Sequence, residues 1–412
     1  MSITRIYRAT IAPGEVKTAI FCGRVLTIVA KENPRTRVYK TELMEVVAAM
    51  KKGDNLPNTK ASLGARVKRR ALLVAVHYES DMRNTQDDSL HIPTSPLDVL
   101  RVYRMLLTRG YEPQNIRILV EGLVRDYRSN GTKKNIIDSL EWLSHGAEPG
   151  DHRYFHFSGH GYAYEVDEEE GKMARVSEQP SLSPFGDHIK FYREALLTNW
   201  ETPNLLEIAE SEGPIMLDAY NRINDEELKA MVSKFPKGCI LTMTLDCFHG
   251  AQMRDVIFDE PTGQIERRGE VGWPIDEPES DEPTTNSNAY LDTSPCNLFV
   301  PPAFRLYSDF NFDPNVTMES VPGPGVLDGV QAKVCVWSGY SNSLAQSGVF
   351  TSAFASTVEG LTSDVSHREV FQELNRKVGE NTEGKGGYPF IQLQAIGGSK
   401  DEVEAPMNKF VI

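Results

Sequence analysis

Six short strand-like runs, each bounded by charge, glycine or a polar loop, do most to narrow what this chain can fold into. They cover residues 71–76, 115–120, 152–157, 238–245, 332–337 and 390–395. The first, Ala71-Leu72-Leu73-Val74-Ala75-Val76, shows no alternation of apolar and polar side chains, as suits a strand covered on both faces. Between the runs the apolar period becomes helical. Ser95-Pro96-Leu97-Asp98 opens one helix, with Leu97, Leu100, Tyr103, Leu106 and Leu107 recurring at helical spacing and Gly110 as the stop. Thr132 caps another, whose stripe is Ile136, Ile137, Leu140 and Leu143. Further helices are expected over 41–52, 224–232, 348–358 and 366–377, and a small one over 191–200. Strands separated by helices describe a mostly parallel sheet with crossovers on both faces.

With 412 residues the chain has room for one large α/β domain with additions, or for two domains. Residues 1–69 read as an N-terminal extension and 70–412 as the main domain. Lys68-Arg69-Arg70 reads as a strand flank or a protease-sensitive joint between them. Two segments break the rhythm: 162–214, with the acidic run Asp167-Glu168-Glu169-Glu170, and 255–330, rich in Pro, Glu and Asp. Stretches of that length without regular structure are lids, binding loops or linkers. A net charge of −14 provides no basic field for nucleic acid or an anionic membrane. No run approaches the roughly 20 apolar residues of a membrane helix, and residues 1–5 lack a signal core, so a cytoplasmic or nuclear protein is expected. The five cysteines are scattered with no close pair, which argues against a disulfide framework or a structural zinc site.

Two of the runs close on reactive side chains. Arg153-Tyr154-Phe155-His156-Phe157 leads into Ser158-Gly159-His160-Gly161, and Cys239-Ile240-Leu241-Thr242-Met243-Thr244 into Leu245-Asp246-Cys247-Phe248-His249-Gly250. An imidazole and a thiol at the ends of two strands of one sheet can meet above its edge. Such an imidazole can draw the proton from a thiol that is mostly protonated at neutral pH. In that scheme Cys247 attacks a carbonyl, His160 protonates the leaving amine, and water releases the acyl-enzyme. The flanking glycines let a substrate backbone approach, and the N–H groups of Gly161 and Cys247 supply an oxyanion hole. His156 lies inside its strand and reads as structural. His249 is a rival base.

These segments resemble type I metacaspases, in the caspase-like clan of cysteine peptidases. The likeness runs in order from residue 70 to the C-terminus: the strand 68–78, Asp98 at a helix start, 132–142, 150–161, 215–228, 240–250, 334–339 and 348–354. It implies a caspase-like three-layer α/β/α sandwich on a six-stranded, mostly parallel sheet. The peptidase domain would span 70–412, with a large-subunit-like part 70–254, a linker 255–330, a small-subunit-like part 331–412 and an insertion 162–214. His160 and Cys247 match the family's dyad. Asp98 and Ser158 match two positions of a pocket for a substrate Arg or Lys, and the third position, an Asp in the family, is Leu245 here, with the carboxylate moved to Asp246. The resemblance also implies a calcium site built from Asp225 and Glu226, with Asp255 and one of Glu210 or Glu212. Alternatively, Asn224, Asp225 and Glu226 cap the following helix. Self-cleavage would fall at Lys51-Lys52, Lys68-Arg69-Arg70, Arg254 or Arg267-Arg268.

The leading expectation is therefore a monomeric, calcium-stimulated cysteine endopeptidase cutting proteins or peptides after Arg or Lys. The changed residues Leu245 and Phe248-His249, together with the long insertion, motivate the alternative of a caspase-like scaffold that binds partner proteins. A nucleotide-binding α/β enzyme is disfavoured, because no GxGxxG or GxxxxGK segment follows a strand.

Overall fold

The computed structural model describes residues 16–21, 24–29, 34–54, 67–78, 92–124, 126–165, 172–173, 191–199, 221–248, 255–259, 264–268, 304–309, 313–320, 329–340, 348–362, 364–382, 390–396 and 409–412. The strands are β1 (Val16–Phe21), β2 (Arg24–Val29), β3 (Arg69–Ala75), β4 (Ile116–Val120), β5 (His152–Glu165), β6 (Lys172–Met173), β7 (Phe191–Leu197) and β8 (Arg222–Asn224). They continue with β9 (Ile240–Phe248), β10 (Asp255–Asp259), β11 (Gln264–Arg268), β12 (Phe304–Asp309), β13 (Asp313–Ser320), β14 (Lys333–Tyr340) and β15 (Phe390–Ile396). The α-helices are α1 (Pro34–Lys52), α2 (Ser95–Thr108), α3 (Lys133–Ser144), α4 (Asp225–Val232), α5 (Val349–Glu359) and α6 (His367–Thr382). None of these helices is long and apolar enough to cross a membrane.

All six expected strands form and lie side by side, in the order β15-β14-β9-β5-β3-β4. The five from β14 to β4 are parallel, and β15 runs antiparallel on β14. Side chains alternate across this sheet, so each face has its own apolar layer. Leu73, Ala75, Tyr154, Trp337 and Leu393 pack with Val99 and Leu106 of α2, Phe354 of α5 and Phe371 of α6. Leu72, Val74, Phe157, Met243 and Val336 pack with Ile136 and Leu140 of α3 and Leu228 of α4. The result is the α/β/α sandwich.

The sheet also grows past six strands. β12 pairs with the outer edge of β15 and turns back as β13, and β10 and β11 form a hairpin of their own, so regular structure occupies part of the segment read as an irregular linker. On the other flank the expected small helix over 191–200 is instead β7. β3 stops pairing with β5 at Ser158, whereas β5 runs on to Glu165. That overrun leaves backbone groups that need partners. β7 supplies them over Gly161 to Glu165, and β8 pairs with β7 in turn. Ladder bonding thus overrides the local pattern of Arg193-Glu194-Ala195-Leu196-Leu197.

The N-terminal segment reaches the same core. Val46, Ala49 and Met50 of α1 are buried with α2 and β3 residues. The Asp54 carboxylate accepts a 2.6 Å bond from Arg117 Nη2, with side-chain exposures of 2% and 0%. Arg70 corrects the reading of a protease-sensitive joint. It is buried in β3, donates to the Trp142 and His145 carbonyls at 2.6 and 2.9 Å, and lies 4.9 Å from the Trp142 ring centroid. Lys51-Lys52 closes α1, Arg267-Arg268 ends β11, and Arg254 lies outside the described residues.

Candidate active site

In an open α/β sheet, ligands bind beyond the carboxyl ends of the strands. There β5 and β9 run side by side, with Gly159 opposite Cys247 and His160 opposite Phe248. His160 and Cys247 are each 3% exposed. Alternation alone would send them to opposite faces, since Cys247 shares its register with Gly159 and His160 is the next residue. The His160 ring, however, lies against Tyr78 with centroids 4.8 Å apart, and Tyr78 belongs with Cys247 to the apolar cluster beneath α3 and α4. The His160 N–H donates to Tyr78 Oη at 2.7 Å, and that hydroxyl donates to the Leu197 carbonyl at 2.9 Å.

Two glycine expectations change. A Cβ on Gly159 would stand 2.9 Å from both the Phe157 ring and Tyr78 Oη, so this glycine admits a neighbouring side chain rather than a substrate. Gly161 is paired with Leu196 in the β5–β7 ladder instead of flanking an open edge. His156 is structural, as expected. It is fully buried, its Nδ1 lies 2.9 Å from Thr244 Oγ1, and burial pulls its pKa down to about 3. Burial also pushes the Cys239 and Cys335 thiols up to about 11 and 12, which leaves both protonated and inert. His249 lies outside the described residues.

Asp98, Ser158 and Asp246 gather on the opposite face. Ser158 is the register partner of Asp246, and its Oγ donates to Asp98 Oδ2 at 2.9 Å. Asp246 Oδ2 accepts from the Thr351 N–H at 3.0 Å and from Thr351 Oγ1 at 2.5 Å, in the first turn of α5, where the helix dipole favours a carboxylate. Gly348, the N-cap of α5, has φ +78°, and a Cβ there would lie 2.4 Å from Asp98 Oδ1. Glycine is required at that position for both reasons. Leu245 faces the other way and is buried in the apolar cluster. The carboxylate that accompanies Asp98 is therefore the one at 246.

Burial, then the Asp246 charge, push the Asp98 carboxyl up to about 7, against the pull of Arg101 and Ser158. Burial likewise raises Asp246. Arg101 was not foreseen: its Nη1 donates to Asp98 Oδ1 at 2.7 Å from one turn along α2. An acid and a base three apart on a helix carry the signal for this pair. Tyr78 and Thr351 left no comparable mark, since each acts across the fold.

At the start of α4, Asn224 Oδ1 accepts from the Glu227 N–H at 2.8 Å, and Glu227 Oε2 accepts from the Asn224 N–H at 3.0 Å, a reciprocal cap. Arg193 of β7 places Nη1 2.9 Å from Glu226 Oε2 and 3.7 Å from Asp225 Oδ1. A guanidinium thus stands between the two described acids expected to hold calcium. Glu210 and Glu212 lie outside the described residues. Asp255 opens β10, in a separate hairpin, and its side chain is also outside them. Among the described residues no group of three or more His, Cys, Asp or Glu side chains could hold a metal ion. Arg193 therefore competes with a divalent cation for Asp225 and Glu226, the two expected ligands whose side chains are described.

Residues 69–180 match the family model described as metacaspase, peptidase C14 domain. The chain is similar to Metacaspase-1 of Mycosarcoma maydis, with 28% identity over 193 residues, covering 46% of this chain and 37% of that protein. It is similar to Metacaspase-1 of Schizosaccharomyces pombe at 26% over 197 residues, 47% and 37% of the two chains. Metacaspase-5 of Trypanosoma cruzi is 27% identical over 197 residues, 47% and 35%. The matched region spans less than two-fifths of each of these relatives. A solved structure from Geobacter sulfurreducens is similar at a TM-score of 0.43 and 14% identity, over 83% of this chain and 97% of that one.

Proposed function

We propose, from the match of residues 69–180 to the metacaspase, peptidase C14 domain model, that the chain is a cysteine endopeptidase with Cys247 as nucleophile and His160 as its acid–base partner. The observation that carries this reading is the β5–β9 register, which brings both residues to the carboxyl edge of one parallel sheet, one position apart. His160 takes the thiol proton as sulfur attacks the scissile carbonyl, then gives it to the departing amine. Water, deprotonated by His160, attacks the resulting thioester, and the proton returns to sulfur as the acid product leaves.

The substrate side chain proposed for the Asp98–Ser158–Asp246 group is Arg or Lys. A buried carboxyl pair next to the attacking strand is matched by a cation, and a guanidinium pairs with carboxylates through two parallel hydrogen bonds. A calcium ion acting through Asp225 and Glu226 would have to displace Arg193, which stands 2.9 Å from Glu226 and 3.7 Å from Asp225. Self-processing at Lys51-Lys52 or Arg69-Arg70 would require helix or strand to open first.

The test is cleavage of peptides with Arg, Lys or Asp before the scissile bond. Cys247→Ala should lower the rate about 10³-fold or more, as loss of a nucleophile does. Unchanged cleavage by that variant would remove the assignment. The low exposure of His160 and Cys247 favours a second reading, a scaffold that binds partners without turnover. A thiol-directed peptide probe that labels Cys247 in the folded chain decides for the enzyme.

A further inference from the structure

We infer that Tyr78 is a positioning residue for His160, an inference that deepens the peptidase reading and rests on it. Tyr78 is 1% exposed and has φ +58°, the sole positive φ among the described non-glycine residues. A bulky residue is held in the left-handed region only where its surroundings over-determine it. Here the surroundings are His160. β5 leaves its ladder with β3 at Ser158, whose carbonyl accepts from the Val76 N–H at 2.9 Å, and enters its ladder with β7 at Gly161. His160 lies in the gap between the two. Tyr78, in its left-handed conformation three residues past the end of β3, presents its hydroxyl to the next N–H along β5.

That hydroxyl bridges both ladders, accepting from His160 N–H and donating to the Leu197 carbonyl of β7, while the ring lies against the imidazole at a 36° tilt. The missing Cβ of Gly159 makes the space for Oη. An imidazole that must receive a proton from sulfur and deliver it to nitrogen has to keep one orientation through the cycle. Tyr78 fixes the backbone beneath it and the plane beside it.

Tyr78→Phe keeps the ring and drops the hydroxyl; Tyr78→Leu drops both. The full chain is used, with Cys247-dependent peptide cleavage, circular dichroism to confirm folding, and NMR of selectively labelled histidine to follow the His160 ring. Tyr78→Leu should lower kcat by about 10²-fold and Tyr78→Phe by about tenfold, with KM within about twofold, as expected for a reacting group displaced by up to an ångström. The His160 ring signal should lose the ring-current displacement in Tyr78→Leu and keep it in Tyr78→Phe. Unchanged kcat in a folded variant, or an unmoved His160 signal in Tyr78→Leu, overturns the inference. If Tyr78→Leu does not fold, kcat of Tyr78→Phe decides. If the native chain shows no Cys247-dependent cleavage, the peptidase reading fails, and the NMR signal still reports whether Tyr78 holds His160.

Discussion

A carboxyl group wholly enclosed by protein resists ionisation, and Asp98 sets the residue-scale chemistry of this molecule for that reason. Its pKa near 7 comes first from burial and next from Asp246, with Arg101 and Ser158 pulling the other way. An acid whose folded pKa lies above its unfolded value near 3.9 adds stability that is complete below that lower value and is lost as pH rises through the folded one. Asp98→Asn should therefore unfold at a higher temperature than the parent at pH 8 and gain little at pH 4, as read by thermal melts. The same protonation should raise KM for Arg peptides as pH falls below about 7, because a neutral carboxyl no longer pairs a guanidinium. Arg101→Ala should move the midpoint of that KM profile upward, since the lost cation favoured the charged form. Asp98 and Ser158 were legible as short motif positions. The Arg101 pairing and the Asp98–Asp246 proximity were not, because they depend on which way α2 and β9 turn their side chains.

At the scale of elements, the N-terminal helix and the insertion strand both do more than flank the domain. α1 is stapled to β4 through Asp54 and Arg117, and the Arg117 guanidinium also lies 4.1 Å from the Trp142 ring centroid. Asp54→Ala would leave that cation buried without its carboxylate, at a cost of about 3–5 kcal/mol. Urea unfolding would show the loss as a lower midpoint with an unchanged slope. β7 carries Arg193 to the start of α4 and Leu197 to Tyr78, so one strand braces both the acid pair and the imidazole arm. Added calcium should leave the melting temperature of the native chain unchanged. Arg193→Gln should melt at a lower temperature and acquire a calcium-dependent upward shift. A calcium shift in the native chain that Glu226→Gln abolishes would refute the assignment of Arg193 as the resident cation. The expected helix at 191–200 failed because β5 overruns β3, and no local pattern records how far a distant strand extends.

Across the whole molecule the sheet is closed to lateral pairing at β15, whose outer edge is occupied by β12. A protein using β15 to dimerise would need that edge, so light scattering of the purified chain should give the mass of one copy. The six apolar runs and the helical stripes determined the layers by themselves, because burial on both faces and a 3.6-residue period are properties of consecutive residues. That His160 and Cys247 each follow a strand-forming run was legible for the same reason, whereas the pairing of those two strands was not. Tertiary structure alone decided that α1 belongs to the core, that Asp246 lies on the same face as Asp98 and Ser158, and that Arg193 meets Asp225 and Glu226. It alone placed Tyr78 against His160. Each of these joins residues far apart in the chain through register and strand overrun, which are set by hydrogen-bond partners across the sheet rather than by any residue's neighbours in sequence.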